Sequence, residues 1–158
     1  MRYASAVDVL PLDRQVCFAL YTATRAVTAR YRPLLDELGL TYPQYLVLLA
    51  LWERDARTVK DLGTALHLDS STLSPLLKRL EAAGLVARER RADDERSVVV
   101  RLTPSGEGLR ERAAAVPARL LCADGLEAGE LADLRDTLTR LTAALHGLEE
   151  TDERSLHG

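Results

Sequence analysis

The spacing of apolar residues changes from a helical to a strand period at Gly84, and this change limits the folds open to the chain. Before it, residues 70–83 predict a helix that Gly84 ends. The apolar stripe of this helix consists of Leu73, Leu76, Leu77 and Leu80. After it, residues 85–91 and 97–102 have the alternation and β-branched content of strands, and a polar turn at 92–96 joins them. We therefore expect a two-stranded hairpin directly after a helix.

Three helices are predicted before this unit. The first runs from Asp13, its expected cap, to about Leu38 and is followed by Gly39. The second, from Thr41 to about Arg54, is apolar nearly all round and should be central. The third, from Thr58 to about Leu66, begins on a sequence that resembles a capping box.

Beyond the hairpin, Thr103 should cap a further helix, and an amphipathic helix is expected from about Glu127 to Leu145. Prolines fall inside two of the predicted helices. Pro33 should kink or weaken the last turns of the first helix. Pro75 lacks a backbone donor, so either the regular helix begins near Thr72 or a local distortion is tolerated there.

Composition excludes several classes of protein. An apolar content of 47% and a charged content of 28% are those of a globular chain. The longest apolar run, residues 45–52, is far shorter than the roughly 20 residues of a membrane-spanning helix. Residues 1–11 do not resemble a secretion leader, so we expect a cytoplasmic protein. Two cysteines, Cys17 and Cys122, argue against a disulfide scaffold, and we expect no metal site and no cofactor.

The charge is unevenly distributed along the chain. The formal net charge is −3, but residues 78–101 carry seven basic and five acidic residues. Residues 124–154 carry nine acids and three arginines. The middle of the chain is therefore locally basic, although such runs are often only solvated faces.

A short helix, a tight turn, a second helix and a basic hairpin are the parts of a winged helix-turn-helix. Short hydroxyls and basic side chains on the outer face of the second helix suit base edges and phosphates, and Arg96 in the hairpin turn suits a minor groove. The candidate DNA-binding residues are Ser70, Ser71, Thr72, Ser74, Lys78, Arg79, Asp94 and Arg96. Helix pairs followed by hairpins also occur in proteins that bind no DNA.

The remaining helices carry apolar stripes that need a partner, and the simplest partner is a second copy. A two-fold axis would place two recognition helices on successive major grooves of operator DNA. We therefore divide the chain into an N-terminal arm, a dimerisation region in two parts, a winged helix-turn-helix and a C-terminal tail. Their bounds are 1–11, 12–40 with 104–147, 41–103 and 148–158, respectively.

Several short blocks resemble the MarR family of winged-helix repressors, and most closely its organic-hydroperoxide-sensing OhrR-type branch. These blocks are Val16-Cys-Phe-Ala-Leu-Tyr21, Tyr31-Arg-Pro-Leu-Leu-Asp36, Thr41-Tyr-Pro-Gln-Tyr45, the segment from Leu68 to Leu80, and Asp93-Asp-Glu-Arg-Ser97. Ser71 and Ser74 depart from the expected glycine and threonine. The resemblance also implies that Pro75 belongs in its helix.

A cysteine such as Cys17 in an apolar helical segment is usually a small buried hydrophobe, but a helix N-terminus favours a thiolate. Tyr31 lies on nearly the same side of the helix, about 21 Å further along, and so cannot reach Cys17 of its own chain. The resemblance implies that Tyr31 and Tyr42 of one subunit hydrogen-bond the Cys17 thiolate of the other, which an organic hydroperoxide oxidises to a sulfenic acid. It also implies an intersubunit disulfide with Cys122, as in the two-cysteine members, and release of DNA. From its position alone, Cys122 is equally well a core residue.

Two alternatives remain open at this point. A small lipophilic or phenolic ligand could switch the DNA binding, with Cys17 inert. A thiol peroxidase is disfavoured because no arginine adjoins Cys17 in the sequence, although Arg14 and Arg25 belong to the same predicted helix. We expect a regulator with no catalytic residues.

Overall fold

The computed structural model describes residues 10–121 and 127–155. The chain divides into two compact units, Met1–Leu120 and Leu121–Gly158. A 3-10 helix, Leu12–Arg14, precedes the first α-helix. The α-helices are α1 (Val16–Asp36), α2 (Tyr42–Glu53), α3 (Val59–Leu66), α4 (Ser70–Ala82), α5 (Pro104–Ala113), α6 (Ala115–Leu121) and α7 (Ala128–Ser155). The strands are β1 (Arg57–Thr58), β2 (Val86–Arg90) and β3 (Val98–Leu102). This mainly helical winged-helix fold confirms the predicted fold class.

The sheet has three antiparallel strands in the order β1-β3-β2. The hairpin pairs Val86 with Leu102 at one end and Arg90 with Val98 at the other, as the period change predicts. The sequence did not predict β1, whose Thr58 pairs with Val99 of the central strand. Two residues are too few to show a strand period, and Thr58 also caps α3.

Helix α2 lies at the centre of the larger unit, as predicted from its apolar character. Its buried side chains are Tyr45, Val47, Leu48, Ala50, Leu51 and Trp52. Thr41 caps α2 in a full capping box with Gln44, which fixes the start of the helix. At the other end, the buried Trp52 Nε1 donates a hydrogen bond to the Gly106 carbonyl at 3.0 Å and so ties α2 to α5.

The start of α1 differs from the prediction. The helix begins at Val16 with Gln15 as its N-cap, and Asp13 lies in the preceding 3-10 helix, so the prediction that Asp13 caps α1 is wrong. Pro11 is the N-cap of the 3-10 helix, and Asp13 is the middle residue of its single turn. Gly39 follows α1 with the left-handed φ of +68° expected of a residue that ends a helix.

Pro75 is accommodated within α4, which begins at Ser70. The alternative in which the regular helix begins near Thr72 is therefore wrong. The N-cap is Asp69, and Gly84 follows the helix at a φ of +74°. Pro75 is exposed, so its ring lies on the outer face, away from the buried stripe.

The C-terminal helices also differ in extent from the prediction. Thr103 caps α5 as expected, but that helix ends at Ala113, and α6 follows after Ala114. Helix α7 continues to Ser155, ten residues beyond the expected end at Leu145, so it includes most of the segment that we assigned to a tail. Among the helices of the described ranges, none has the length and apolar character needed to cross a membrane.

We predict opposite effects for two glycines of α5. A Cβ at Gly106 would overlap the Leu85 backbone carbonyl, whereas a Cβ at Gly108 would meet nothing within 4 Å. Gly106→Ala should destabilise the protein by about 2 kcal/mol or more, since backbone must move. Gly108→Ala should leave stability unchanged or raise it by up to about 1 kcal/mol. Urea denaturation measures both, and equal midpoints for the two variants would contradict the close α5–Leu85 packing.

Candidate nucleic-acid interface and cysteine site

Helices α3 and α4 are joined by a turn of three residues. His67 ends α3 in the left-handed conformation at a φ of +53°, and the Leu68 amide donates to the Gly63 carbonyl at 2.9 Å. A Cβ at Gly63 would lie 2.7 Å from the Leu68 carbonyl oxygen, so glycine permits the close approach. The result is a tight helix-turn-helix, in agreement with the sequence.

Asp69 organises the start of α4. Its Oδ1 accepts hydrogen bonds from the Thr72 backbone amide at 2.8 Å and from the Ser71 hydroxyl at 2.7 Å. These bonds, first from Ser71 and then from Thr72, hold the pKa of Asp69 below its usual range. The Ser71 hydroxyl is therefore engaged in the cap. Sequence reasoning missed Asp69, although an aspartate three residues before Thr72 is a typical cap signal.

The two faces of α4 separate as predicted. The stripe of Leu73, Leu76, Leu77 and Leu80 is buried. The outer face is exposed at all six positions assigned to DNA, namely Ser70, Ser71, Thr72, Ser74, Lys78 and Arg79. Burial of the apolar stripe thus fixes the rotation of α4 about its axis, and with it the side that faces solvent.

The hairpin turn presents Arg96. The Arg96 amide donates to Asp94 Oδ1 at 3.0 Å, and the Ser97 amide donates to the Asp94 carbonyl at 3.0 Å. Asp94 therefore shapes the turn. At its base, Arg91 donates two hydrogen bonds to the Asp93 carboxylate, at 2.8 and 2.6 Å, which raise the pKa of Arg91 and lower that of Asp93. Within the described ranges, the Arg96 guanidinium has no partner.

A groove of about 400 Å³ lies between helices α3 and α4 and the hairpin of β2 and β3. Its lining includes Ser74, Asp94 and Arg96, which the sequence predicted, and also Lys60 and Arg88, which it did not. The structure thus brings recognition-helix and hairpin residues to one concave surface.

Arg88 is held in this groove by Glu81 of α4. The Glu81 carboxylate accepts hydrogen bonds from Arg88 Nε at 2.9 Å, from Nη2 at 2.7 Å and from the Arg88 amide at 3.1 Å. These bonds hold the pKa of Glu81 below its usual range, chiefly through the Arg88 side chain. The pair joins α4 to β2 and fixes the hairpin against the recognition helix.

Three tyrosines cluster where α1 meets α2. The ring of Tyr31 lies 4.8 Å from that of Tyr42 and 5.9 Å from that of Tyr45, and Tyr42 and Tyr45 are 6.4 Å apart. Tyr45 is only 2% exposed, and burial, followed by its neighbour Tyr42, raises its pKa. Tyr31 and Tyr42 are half-buried, so they present part of their surface to solvent. The sequence singled out Tyr31 and Tyr42, and the structure places them side by side.

Cys17 lies at the opposite end of α1. It is the second residue of the helix and is exposed, so the interpretation as a buried hydrophobe is wrong for the single chain. Tyr31 is fourteen residues further along the same helix, about 21 Å by helical rise. The structure therefore does not bring Cys17 to Tyr31 within one chain. Cys122 lies outside the described residues.

Several large apolar side chains of α1 are exposed. Val16, Tyr21 and Val27 are 66%, 59% and 44% exposed, and Leu35 is the buried residue of the helix. Arg25 lies over the Tyr21 ring at 5.4 Å. Exposed large apolar side chains on one helix make it a candidate interaction surface.

The tight helix-turn-helix, the exposed polar face of α4 and the arginine-bearing hairpin define a winged helix-turn-helix DNA-binding protein. A family model for SarA/Rot transcriptional regulators matches residues 29–112. The chain belongs to the MarR/SarA family of transcriptional regulators, a family of regulators and not of enzymes.

Individual relatives cover most of the chain. It is 46% identical to the organic hydroperoxide resistance transcriptional regulator of Bacillus subtilis, over 88% of this chain and 95% of that protein. Reduced AbfR of Staphylococcus epidermidis, solved bound to DNA, is 36% identical with a TM-score of 0.76, covering 87% of this chain and 94% of that one. The disulfide-formed state of AbfR is 35% identical with a TM-score of 0.64, covering 86% and 96%, respectively.

Arg96→Ala should weaken binding to a DNA duplex selected in vitro with the reduced protein by about tenfold, because the side chain is free to enter a minor groove. Fluorescence anisotropy over a range of salt concentrations measures the effect. The matched control is Arg140→Ala in α7, which should bind like the parent protein. Parental affinity for Arg96→Ala, in a variant with an unchanged melting temperature, would remove the hairpin from the interface.

Proposed function

We propose that the protein is a homodimeric transcriptional repressor that organic hydroperoxides switch off by oxidising Cys17. The observation that carries this proposal is the position of an exposed thiol at one end of α1 and paired phenols at the other end. The length of α1 keeps the two groups apart within one chain. A second copy can bring a thiol to the phenols of the first.

The dimer follows from the surface of α1. Two such helices that cross or run antiparallel about a two-fold axis cover each other's apolar side chains. The same arrangement brings Cys17 of one copy to Tyr31 and Tyr42 of the other. It also presents two copies of α4 to one face of a DNA duplex, where half-sites are one helical turn apart.

The phenols activate the thiol. A hydroxyl that donates a hydrogen bond to sulfur stabilises the thiolate without introducing a full positive charge. The first turn of α1 adds the positive end of a helix dipole, since Cys17 is its second residue. The two effects act on the charged form of the same sulfur.

The reaction has two steps. The Cys17 thiolate attacks the terminal oxygen of an organic hydroperoxide, the O–O bond breaks, sulfur loses two electrons to become a sulfenic acid, and the alkoxide takes a proton to leave as an alcohol. The Cys122 thiol of the other subunit then attacks the sulfenic sulfur and releases water, forming an intersubunit disulfide. A thiol reductant reverses the second product to two free thiols.

The disulfide releases DNA because it rearranges the dimer. A covalent bond at the start of α1 fixes that helix relative to the partner, and the two recognition helices no longer match the groove spacing. The names of two relatives are consistent with a redox-switched regulator. One is a regulator of organic hydroperoxide resistance, and AbfR has been solved both reduced on DNA and in a disulfide-formed state.

The central test replaces the sensing thiol. Cys17→Ser should bind the selected duplex as the reduced parent does and keep that affinity after one equivalent of cumene hydroperoxide, whereas the parent should lose affinity by about tenfold or more. Cys122→Ser should still be oxidised at Cys17 but give no crosslinked dimer on a non-reducing gel. Mass spectrometry of both cysteines accompanies the binding measurement.

The competing function is a switch operated by a small lipophilic ligand. A pocket of about 390 Å³ between α1 and α2, lined in part by Leu35, Leu40 and Tyr42, gives such a ligand a place to bind. Peroxide-treated parent protein that keeps its DNA affinity, with Cys17 oxidised, would exclude the redox switch and favour this alternative.

Tyr42→Phe should slow the oxidation of Cys17 by cumene hydroperoxide by about tenfold at neutral pH, the worth of one hydrogen bond to a charged group. Stopped-flow measurement checks this, and the reduced variant should bind DNA normally. A rate equal to that of the parent protein would remove Tyr42 from the mechanism.

A further inference from the structure

A pocket of about 280 Å³ between α2 and the segment of α5 and α6 plays no part in the steps described so far. Its apolar lining includes Leu49, Ala114 and Pro117, and its charged lining residues are Glu53 and Arg110. Leu49 is 40% exposed, in a helix whose other large apolar side chains are mostly buried. The pocket is thus an open apolar site on the most buried helix.

The pocket continues the tyrosine cluster. Tyr42, Tyr45 and Leu49 follow one another at three- and four-residue spacing and so share a face of α2. Tyr45 itself lines the pocket, and its ring lies 5.9 Å from that of Tyr31. A segment that brings a thiol to Tyr31 and Tyr42 therefore has this pocket directly beside it.

The segment before α1 has exposed apolar side chains that could fill this pocket. Of the large apolar residues that the structure describes, Leu10, Val16 and Leu12 are the three most exposed, at 72%, 66% and 61%. Leu12 opens the 3-10 helix just before α1, and Asp13 and Arg14 follow it. The segment and the pocket lining therefore each carry one acidic and one basic residue, so that opposite charges can face each other.

The segment that fills the pocket cannot come from the same chain. Leu12 precedes Tyr31 by nineteen residues, almost all of them in α1, which separates the two by about 28 Å along the helix axis. Tyr31 is in ring contact with Tyr45, a wall of the pocket. The pocket is therefore near the wrong end of the chain's own α1, and a second copy must supply the segment.

The spacing in a second copy is suitable. Leu12 precedes Cys17 by five residues, or about 8 Å, and Leu49 follows Tyr42 by seven residues, or about 10 Å. With Cys17 of one copy placed on Tyr42 of the other, and its preceding segment running along α2 toward the C-terminal end of that helix, Leu12 falls within side-chain reach of Leu49. This step rests on the proposed function, which sets the position of Cys17.

We propose that the pocket beside Leu49 receives Leu12 of a second copy, so that the segment before the reactive thiol is anchored on the partner's α2. Burial of both leucines stabilises the dimer and holds Cys17 over the phenols. The contact lies on the helix that packs against α3, α4 and α5, and so joins the thiol to the DNA-binding elements of the other subunit.

Site-directed crosslinking tests the contact without any peroxide. Both copies used in this test carry Cys17→Ser and Cys122→Ser. One tagged copy also carries Leu12→Cys, a second copy with a different tag carries Leu49→Cys, and the two copies are expressed together. A copper-phenanthroline oxidant should give at least about tenfold more crosslinked heterodimer than the control pair of Leu12→Cys with Ala82→Cys, since a disulfide needs the two Cβ atoms within roughly 4.5 Å. Ala82 is exposed at the end of α4, outside the pocket.

Two results would overturn the proposal. One is a level of crosslinking no higher than that of the control pair. The other is preferential crosslinking of Leu49→Cys to Leu141→Cys, which would make α7 the occupant. The peroxide response is measured separately, on the protein without substitutions. If that protein still loses DNA when Cys17 is oxidised, either result refutes only the docking of Leu12 and leaves the redox switch intact. If it does not respond to peroxide but Leu12 and Leu49 crosslink strongly, the redox switch is refuted and the docking stands.

Discussion

The burial of α2 on nearly every side is the constraint on which the larger unit depends. Its twelve residues contact α1, α3, α4 and α5, and its two ends make different interactions. The N-terminal turn carries Tyr42 and Tyr45 of the phenol cluster, and Trp52 near the C-terminus is hydrogen-bonded to Gly106. Because packed helices shift as rigid bodies and do not deform continuously, the proposed switch at the N-terminal turn would act on the recognition helix through α2.

Electrostatics in this protein is local, and the net charge of −3 is a poor guide to it. The acids of the DNA-binding unit are largely engaged in holding its parts. Glu81 binds Arg88, Asp93 binds Arg91, and the Asp69 carboxylate caps α4. Such acids position the basic surface, and the arginine partners of Glu81 and Asp93 also offset their negative charge.

Much of the fold could be predicted from the sequence because its signals are local. The stripe of α4, the start of α2 at Thr41 and the alternation after Gly84 each depend on signals within a few residues, and the structure confirms them. What sequence reasoning missed depends on pairing between distant residues. Strand β1 exists only because Val99 and Val100 lie opposite it, and Arg88 enters the groove only because Glu81 holds it there. The cap on α1 failed because Pro11 starts a separate 3-10 turn.

Under the proposed function, the long, exposed α1 explains why thiol sensing requires two chains. A thiol that must meet peroxide cannot be buried in the core of its own unit, yet a thiolate needs donors that only a packed cluster can hold in place. Within one chain, about 21 Å of helix α1 separates the exposed Cys17 from the packed cluster that contains Tyr31. In the proposed dimer, pairing reunites them at an interface, where activation of the sulfur and assembly of the DNA-binding dimer depend on the same contacts. In such a design, chemistry at the sulfur acts directly on the contacts that set the dimer geometry.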